Sequence, residues 1–322
     1  CDMGQVKNFV PQGVIPATLL AFDEDFEIDE AETRRHLSYV ANVAGISAIT
    51  VNGHSSEIHA CNFDEQQRIL DVTMDEVGDT VPVIAGVYAD GSHEAARIAK
   101  TSEAAGASAL LCFPPHSLGM GGVRHRPEMA HAHFSTIAAA TDLPLIVFQY
   151  SDDLAYSLDT LVEMSEQIPS IKAIKDWSPP QAHERHIRVL QSLPRPINVL
   201  STNTAWMMSS LVMGAKGLLS GAGSVIADLQ VELFQAVQAS DLPRAQEINE
   251  RMWHATNAFY SDPFGDMHNR MKEALVHLGR QDRAVMRPPL VKLTNAEIAR
   301  IGEALVAAGL PGSDRIMRAA AE

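Results

Sequence analysis

Residues 171–177 read IKAIKDW. The run is short, isoleucine-rich and apolar enough for a strand buried on both faces. Yet Lys175 stands inside it. Side chains alternate along a strand, so Ile171, Ala173 and Lys175 share one face, and Lys172, Ile174 and Asp176 the other. If Lys175 points into the core, the small Ala173 below leaves it room. A buried ammonium without a partner is costly and tends to shed its proton. The resulting free amine is a nucleophile. The alternative is a lysine that snorkels from the strand end as a solvated cation.

The neighbouring sequence repeats the pattern. Similar runs lie at Val14–Phe22, Ser47–Asn52, Val81–Val87, Ala109–Phe113, Leu143–Tyr150, Ile197–Ser201 and Gly217–Gly221. Between them come stretches of helical period, among them Glu30–Val43, Asp64–Val77 and Ser92–Ala105, and Leu229–Ala239 follows the last. Apolar strands alternating with amphipathic helices predict a parallel sheet covered by helices. Eight such units in a row suit a closed (β/α)8 TIM barrel better than an open sheet. AGISAITV from Ala44, AGASALLC from Ala105 and GAKGLLSG from Gly214 echo one another, each a glycine-marked passage from helix to strand. Beyond Leu229 the strands stop. Ala239–Tyr260, Phe264–Leu278 and Asn295–Ala308 read as helices, RPPL at Arg287–Leu290 as a linker, and Thr294 with Glu297 as a capping box. The expected organisation is a segment over 1–12, a catalytic barrel over 13–235, a C-terminal helical extension over 236–310 and a tail over 311–322.

Composition narrows the function classes. The chain has 322 residues, 46% of them hydrophobic, and a formal net charge of −15. No basic stripe is present, which argues against nucleic acid and anionic membranes as partners. No apolar run reaches the roughly 18 residues that span a bilayer. Three cysteines without CxxC spacing make neither a disulfide framework nor a zinc site, as expected of a cytoplasmic protein. The chain opens on Cys1, as a cleaved lipoprotein also would.

In such a barrel, functional groups gather at the C-terminal ends of the strands. VNGHSSE follows the second run: Gly53 offers a tight turn, and His54, Ser55 and Ser56 offer an imidazole, hydroxyls and amides suited to a carboxylate. A polar loop with serine caps is the competing reading. LIVFQYSDD closes the fifth run with Phe148 and Tyr150 on one face; Tyr150 either moves protons or is a rim aromatic. The loop and helix after the fourth run hold His116, His125, His131 and His133, but no metal-ligand spacing. The methionines after Thr202 read as core, and the glycines of GLLSGAGS lack nucleotide-binding spacing.

Taken together, these segments resemble the dihydrodipicolinate synthase / N-acetylneuraminate lyase family. GVIPATLLAFDED looks like its first strand, and GHSSE at Gly53–Glu57 stands where the family has GTTGE. IKAIKDW matches the segment bearing the Schiff-base lysine, GAKGLLSGAGS the eighth-strand motif, and RPPLVKLTNAE the C-terminal linker. The resemblance runs from about Gly13 to Leu310. It implies a class I aldolase, lyase or dehydratase in which Lys175 attacks the ketone of pyruvate or another 2-oxo acid. The protonated imine then acts as electron sink, with no metal or organic cofactor. It also implies Ser55, Ser56, His54, His116, Phe148 and Leu219 around the substrate, and commonly a homotetramer built as a dimer of dimers.

The departures from the family pattern are specific. The family's YNxP aligns with FQYS, Phe148–Ser151, so its tyrosine falls on Phe148, which has no proton to move. Tyr150 is the candidate replacement. The first threonine of GTTGE falls on His54, and the tyrosine some members lend across a dimer interface falls near His116. The arginine with which true dihydrodipicolinate synthases hold their second substrate falls near Asp153, an acid that repels a carboxylate. Imine chemistry directed at another substrate, a sugar acid, a hydroxy acid or an aromatic aldehyde adduct, is therefore expected. The competing expectations are a catalytically silent 2-oxo acid binder and a metal-dependent barrel lyase using the histidine-rich loop.

Overall fold

Seven of the eight apolar runs contain a strand, and the first overlaps one that begins a residue earlier, at Gly13. The strands are β1 Gly13–Pro16, β2 Ile49–Val51, β3 Val83–Val87, β4 Ala109–Cys112, β5 Leu145–Gln149, β6 Ile171–Asp176, β7 Asn198–Ser201 and β8 Gly217–Ser220. The computed structural model describes Val6 and residues 8–313. The strands are parallel, in the order β1-β8-β7-β6-β5-β4-β3-β2. Bridges from Val14 to Ile46 and from Ala17 to Thr50 join the two ends, so the sheet is a nearly closed (β/α)8 barrel.

Helices alternate with the strands: α1 Glu30–Ala41, α2 Phe63–Val77, α3 Ser92–Ala104, α4 Gly122–His125, α5 Pro127–Ala138, α6 Leu158–Gln167, α7 Pro180–Leu190, α8 Met207–Val212 and α9 Gly223–Gln238. Three more follow without strands: α10 Leu242–Phe259, α11 Met267–His277 and α12 Asn295–Ala307. The echoed glycines are the turns that end helices. Gly45, Gly106 and Gly214 have φ of +95°, +100° and +104°, a region that side chains disfavour. Thr294 and Glu297 form the expected capping box at the start of α12. Among the described residues no helix is long and apolar enough to cross a membrane.

Two apolar layers hold the barrel. Its interior is filled by Ile15, Ala48, Ile84, Leu111, Ile146, Ala173, Leu200 and Leu219. A larger layer between strands and helices includes Ile49, Val83, Leu110, Leu145, Ile171 and Ile174. Ile171 therefore does not share the face of Ala173 and Lys175, contrary to strict alternation. Leu145 pairs with Ile171 and Ile146 with Ala173, so Lys172 is an extra residue in β6. A bulge of this kind resets the alternation by one position. Beyond it, Ala173 faces the interior, as the sequence suggested for the floor beneath Lys175.

The C-terminal helices pack on the barrel's β8 side. Ile248, Met252 and Phe259 of α10, Met271 and Leu275 of α11 and Leu305 of α12 form one core with Val14, Leu218 and Leu229. Polar residues of α11 are buried as well. The Arg270 guanidinium, 2% exposed, donates to the carbonyls of Ser261 and Pro263 at 2.6 and 3.1 Å. This clamps the segment between α10 and α11 over the barrel mouth.

Candidate active site

Lys175 ends β6 inside the mouth of the barrel. It is 5% exposed, and its Nζ lies 4.1 Å from the centroid of the Phe148 ring. Burial alone pulls its ammonium down from 10.5 to about 7. No carboxylate offsets that burial, because the next residue, Asp176, points away. Asp176 Oδ2 accepts from His183 Nδ1 and His186 Nδ1 at 2.8 and 2.7 Å, and Oδ1 from the Ser178 amide at 3.0 Å. The two histidines hold the Asp176 carboxyl well below the usual range although burial opposes them. They also tie the end of β6 to α7, which fixes the backbone from which Lys175 projects.

The cleft in front of Lys175 encloses about 420 Å³ including its open mouth. Its inner wall groups Ser55, His54, Phe148, Gly221 and His268 around Lys175, its outer wall is formed by the partly exposed rings of Trp177, Tyr260 and Phe264, and Thr202 and Met267 complete the lining. The Ser55 hydroxyl is buried and has no hydrogen-bond partner. A buried hydroxyl left unpaired is expensive, and a ligand oxygen would relieve it. Gly221 keeps this wall open: a Cβ there would stand 3.1 Å from His268 Nε2 and 3.6 Å from Ser55 Cβ.

The loop carrying Ser55 is built differently from the expected glycine turn. Gly53 is extended, at φ −98°. The left-handed residues are Asn52 and Glu57, at φ +53° and +52°. Asn52 is held there by its side-chain amide, which donates to the Gln66 carbonyl at 2.9 Å. Gly86 of β3 permits the approach, since a Cβ there would sit 1.8 Å from the Asn52 carbonyl oxygen. At the other end, Glu57 is fully buried against the Lys272 ammonium of α11, and its second oxygen accepts from the Arg287 amide at 3.1 Å. Lys272 also donates to the Val285 carbonyl at 2.7 Å. One buried ion pair thus binds the loop carrying Ser55 to the C-terminal extension.

The predicted site residues divide in two. Lys175, Ser55, His54 and Phe148 line the cleft. Ser56, Tyr150, His116 and Leu219 are not among its lining residues. The Ser56 hydroxyl donates to the Thr18 carbonyl at 2.8 Å and braces the loop. Leu219 is fully buried in the barrel interior. Tyr150 stands behind His54, with its hydroxyl 2.5 Å from His54 Nε2. Burial pushes the Tyr150 phenol up, and burial followed by the Lys175 charge pushes the His54 imidazole down. A neutral phenol therefore faces a neutral imidazole, with Tyr150 donating. The His116 ring is 5.5 Å from Tyr150 and 6.2 Å from His54, and its amide donates to Asp90 Oδ1 at 2.7 Å. Among the described residues no three His, Cys, Asp or Glu side chains gather as metal ligands.

Sequence reasoning missed the contribution of the extension. His268, Met267, Phe264 and Tyr260 all face the cleft. A signal was present in MHNRMKE: helix α11 buries His268, Asn269, Arg270, Lys272 and Glu273, so its polar residues face protein rather than water. His268 and Lys272 are four apart and share a face. Burial lowers the His268 imidazole to about 3, with the Lys175 charge assisting, so it is neutral beside the lysine.

Comparison with known proteins agrees with this geometry. The model of the dihydrodipicolinate synthetase family matches residues 10–308. A 4-hydroxy-tetrahydrodipicolinate synthase of Erythrobacter litoralis is 30% identical over 303 residues, covering 92% of this chain and 99% of the relative. A dihydrodipicolinate synthase structure from Bacillus anthracis superposes with TM-score 0.81 at 25% identity, over 92% of this chain and 99% of that one. The sialic acid aldolase of Ruminococcus gnavus does so with TM-score 0.82 at 20% identity, over 92% and 97%, a likeness of fold. A family match across nearly the whole chain, on a barrel with a buried lysine at the end of β6, places this protein in the dihydrodipicolinate synthetase family of Schiff-base lyases.

Proposed function

We propose that the protein forms an imine between Lys175 and pyruvate or another 2-oxo acid, and that it makes or breaks a bond at the adjacent carbon by aldol addition, retro-aldol cleavage or dehydration. The observation that carries this reading is Lys175 itself, held near a pKa of about 7 by burial in a cleft that also offers an unpaired Ser55 hydroxyl. A free amine near neutral pH attacks a ketone. The Ser55 hydroxyl is suited to the 2-oxo acid carboxylate. His54, neutral and accepting from Tyr150 at Nε2, carries its proton on Nδ1 and is suited to give it to the substrate, with the Tyr150 proton following through the 2.5 Å contact.

The relatives' names point to dihydrodipicolinate synthesis, whereas two features of this chain favour another second substrate. Phe148 cannot supply the proton transfer that the family resemblance assigns to a tyrosine there. The side chain in the region of the substrate-holding arginine is Asp153, which is exposed and acidic. We also propose that the chain assembles as a homo-oligomer, a dimer of dimers. Met120, 91% exposed in the segment after His116, is apolar surface that a second copy would cover.

The test is to incubate the protein with pyruvate, reduce with borohydride, and weigh the peptide containing Lys175. A pyruvate adduct on that residue is expected, and none on Lys175→Ala. Absence of an adduct with pyruvate and with longer 2-oxo acids would overturn the reading. Stabilisation by a 2-oxo acid without turnover of any partner would instead identify a silent binder.

A further inference from the structure

The two walls of the cleft differ in chemistry. The inner wall, around Lys175, Ser55 and His268, holds most of the cleft's polar groups. The outer wall is aromatic. Trp177 and Phe264 stack with centroids 5.2 Å apart and planes 15° from parallel, and Tyr260 continues the surface 5.7 Å from Phe264 at 30°. Phe148, beside Lys175, and Met267 add further apolar surface to the lining. The wall is assembled from distant parts of the chain. Trp177 is held by its amide, which donates to the Gln149 carbonyl at 3.0 Å, and the Phe264 segment by the buried Arg270. Trp177, Tyr260 and Phe264 are only partly buried, so the wall offers apolar surface to whatever enters.

Charge gives the complementary constraint. Among the described residues lining the cleft, Lys175 is the only lysine or arginine. It is committed to the ketone in the imine reading. The imidazoles of His54 and His268 are buried beside it and are neutral. A second carboxylate would therefore enter the outer half without a cation to meet it, at a desolvation penalty. A flat, apolar group would cover aromatic faces already set in place.

Resting on the imine reading above, we infer that the carbonyl partner joined to or released from the 2-oxo acid is an aromatic aldehyde whose ring lies against Trp177 and Phe264. The balanced reaction is as follows. Pyruvate and the Lys175 amine lose water to form the imine, and C3 gives up a proton to leave the enamine. C3 then bonds to the aldehyde carbon while the aldehyde oxygen takes a proton. Water cleaves the imine, returning Lys175 and releasing a 4-aryl-4-hydroxy-2-oxobutanoate. Cleavage runs the same steps backwards. His268 Nε2, on the cleft side of Gly221, is suited to hydrogen-bond the new hydroxyl.

The experiment measures pyruvate consumption with benzaldehyde, glyceraldehyde and succinic semialdehyde, beside borohydride trapping of the Lys175 imine. Trapping should succeed, and kcat/KM for benzaldehyde should exceed that for either aliphatic aldehyde by at least about 10-fold. Trp177→Ala should lower the benzaldehyde-to-glyceraldehyde ratio by about 10-fold, with the larger part in KM. Phe264→Leu is the milder variant should the first fail to fold. Trapping with no aromatic preference, or a ratio unmoved in both variants, would overturn the inference and leave the imine reading standing. No trapping with any 2-oxo acid would overturn both.

Discussion

Replacing Lys175 with methionine should make the protein more stable, by an amount that is greatest below pH 7 and fades as pH rises to 10.5. Methionine keeps the length and apolar stem of the side chain and removes the amine. In the folded protein burial holds the group at about 7 rather than 10.5. At about 1.4 kcal/mol per pH unit, that drop corresponds to an upper figure of about 5 kcal/mol. Water entering through the mouth of the cleft reduces it, and about 2–4 kcal/mol is the expected difference. The sign follows from which state holds the proton. Below pH 7 both the folded and unfolded chains are protonated at Lys175, and the folded state carries the whole penalty. Between pH 7 and 10.5 the folded chain is already neutral, so the penalty shrinks as the unfolded chain loses its proton too. Above 10.5 it is gone. Urea midpoints of wild type and Lys175→Met, taken from pH 6 to 10.5, should therefore converge as pH rises. A gap that stays constant would mean that methionine merely packs better, and that Lys175 does not carry the shifted protonation on which its nucleophilic role rests.

Three further outcomes follow from the same geometry. Tyr150→Phe should lower kcat by about 100-fold while borohydride trapping of the Lys175 imine persists; a much smaller loss would remove the relay through His54. Glu57→Gln should destabilise the fold by about 3–5 kcal/mol by leaving the Lys272 charge buried without its partner, and adding Lys272→Met should restore much of it in urea unfolding. Asp176→Asn should cost about 2–3 kcal/mol at neutral pH. Because the folded Asp176 carboxyl is held low by His183 and His186, its contribution is present above about 3.8 and lost as pH falls through its folded value, so the gap between wild type and variant should close in acid.

The barrel was legible because a parallel sheet buried on both faces writes itself as uninterrupted apolar runs. Each of the eight overlaps a strand. Detail inside a run was less legible. Whether Ile171 shares the face of Lys175 depends on where β5 meets β6, and the extra residue at Lys172 is a property of that pairing. The loop after β2 shows a similar limit. Gly53 was the obvious turn residue, yet Asn52 takes the left-handed conformation, because Gln66 offers its carbonyl and Gly86 leaves space. Tyr150 shares the barrel-interior cluster with Phe148, but alternation along β5 carried no sign that His54 would stand in front of it. The part of the cleft supplied by α11, Met267 and His268, was hidden for another reason. Helical period marks a buried face without saying what that face meets, and only the fold brings His268 to Gly221.

The two buried lysines show how one side chain is given opposite properties. Lys175 and Lys272 are 5% and 0% exposed, and burial is the largest influence lowering each. Lys272 is met by the Glu57 carboxylate and the Val285 carbonyl, which oppose that influence and keep the charge. Lys175 is met by the face of Phe148, while the carboxylate nearest in sequence, Asp176, is turned outward and occupied by two histidines. Had Asp176 faced inward, it would have paired with Lys175 and kept it protonated. One lysine therefore remains a cation that locks the extension to the Ser55 loop, and the other becomes an amine. The same extension carries Tyr260 and Phe264, so the pairing of Glu57 with Lys272 also ties this part of the aromatic wall to the loop that bears Ser55.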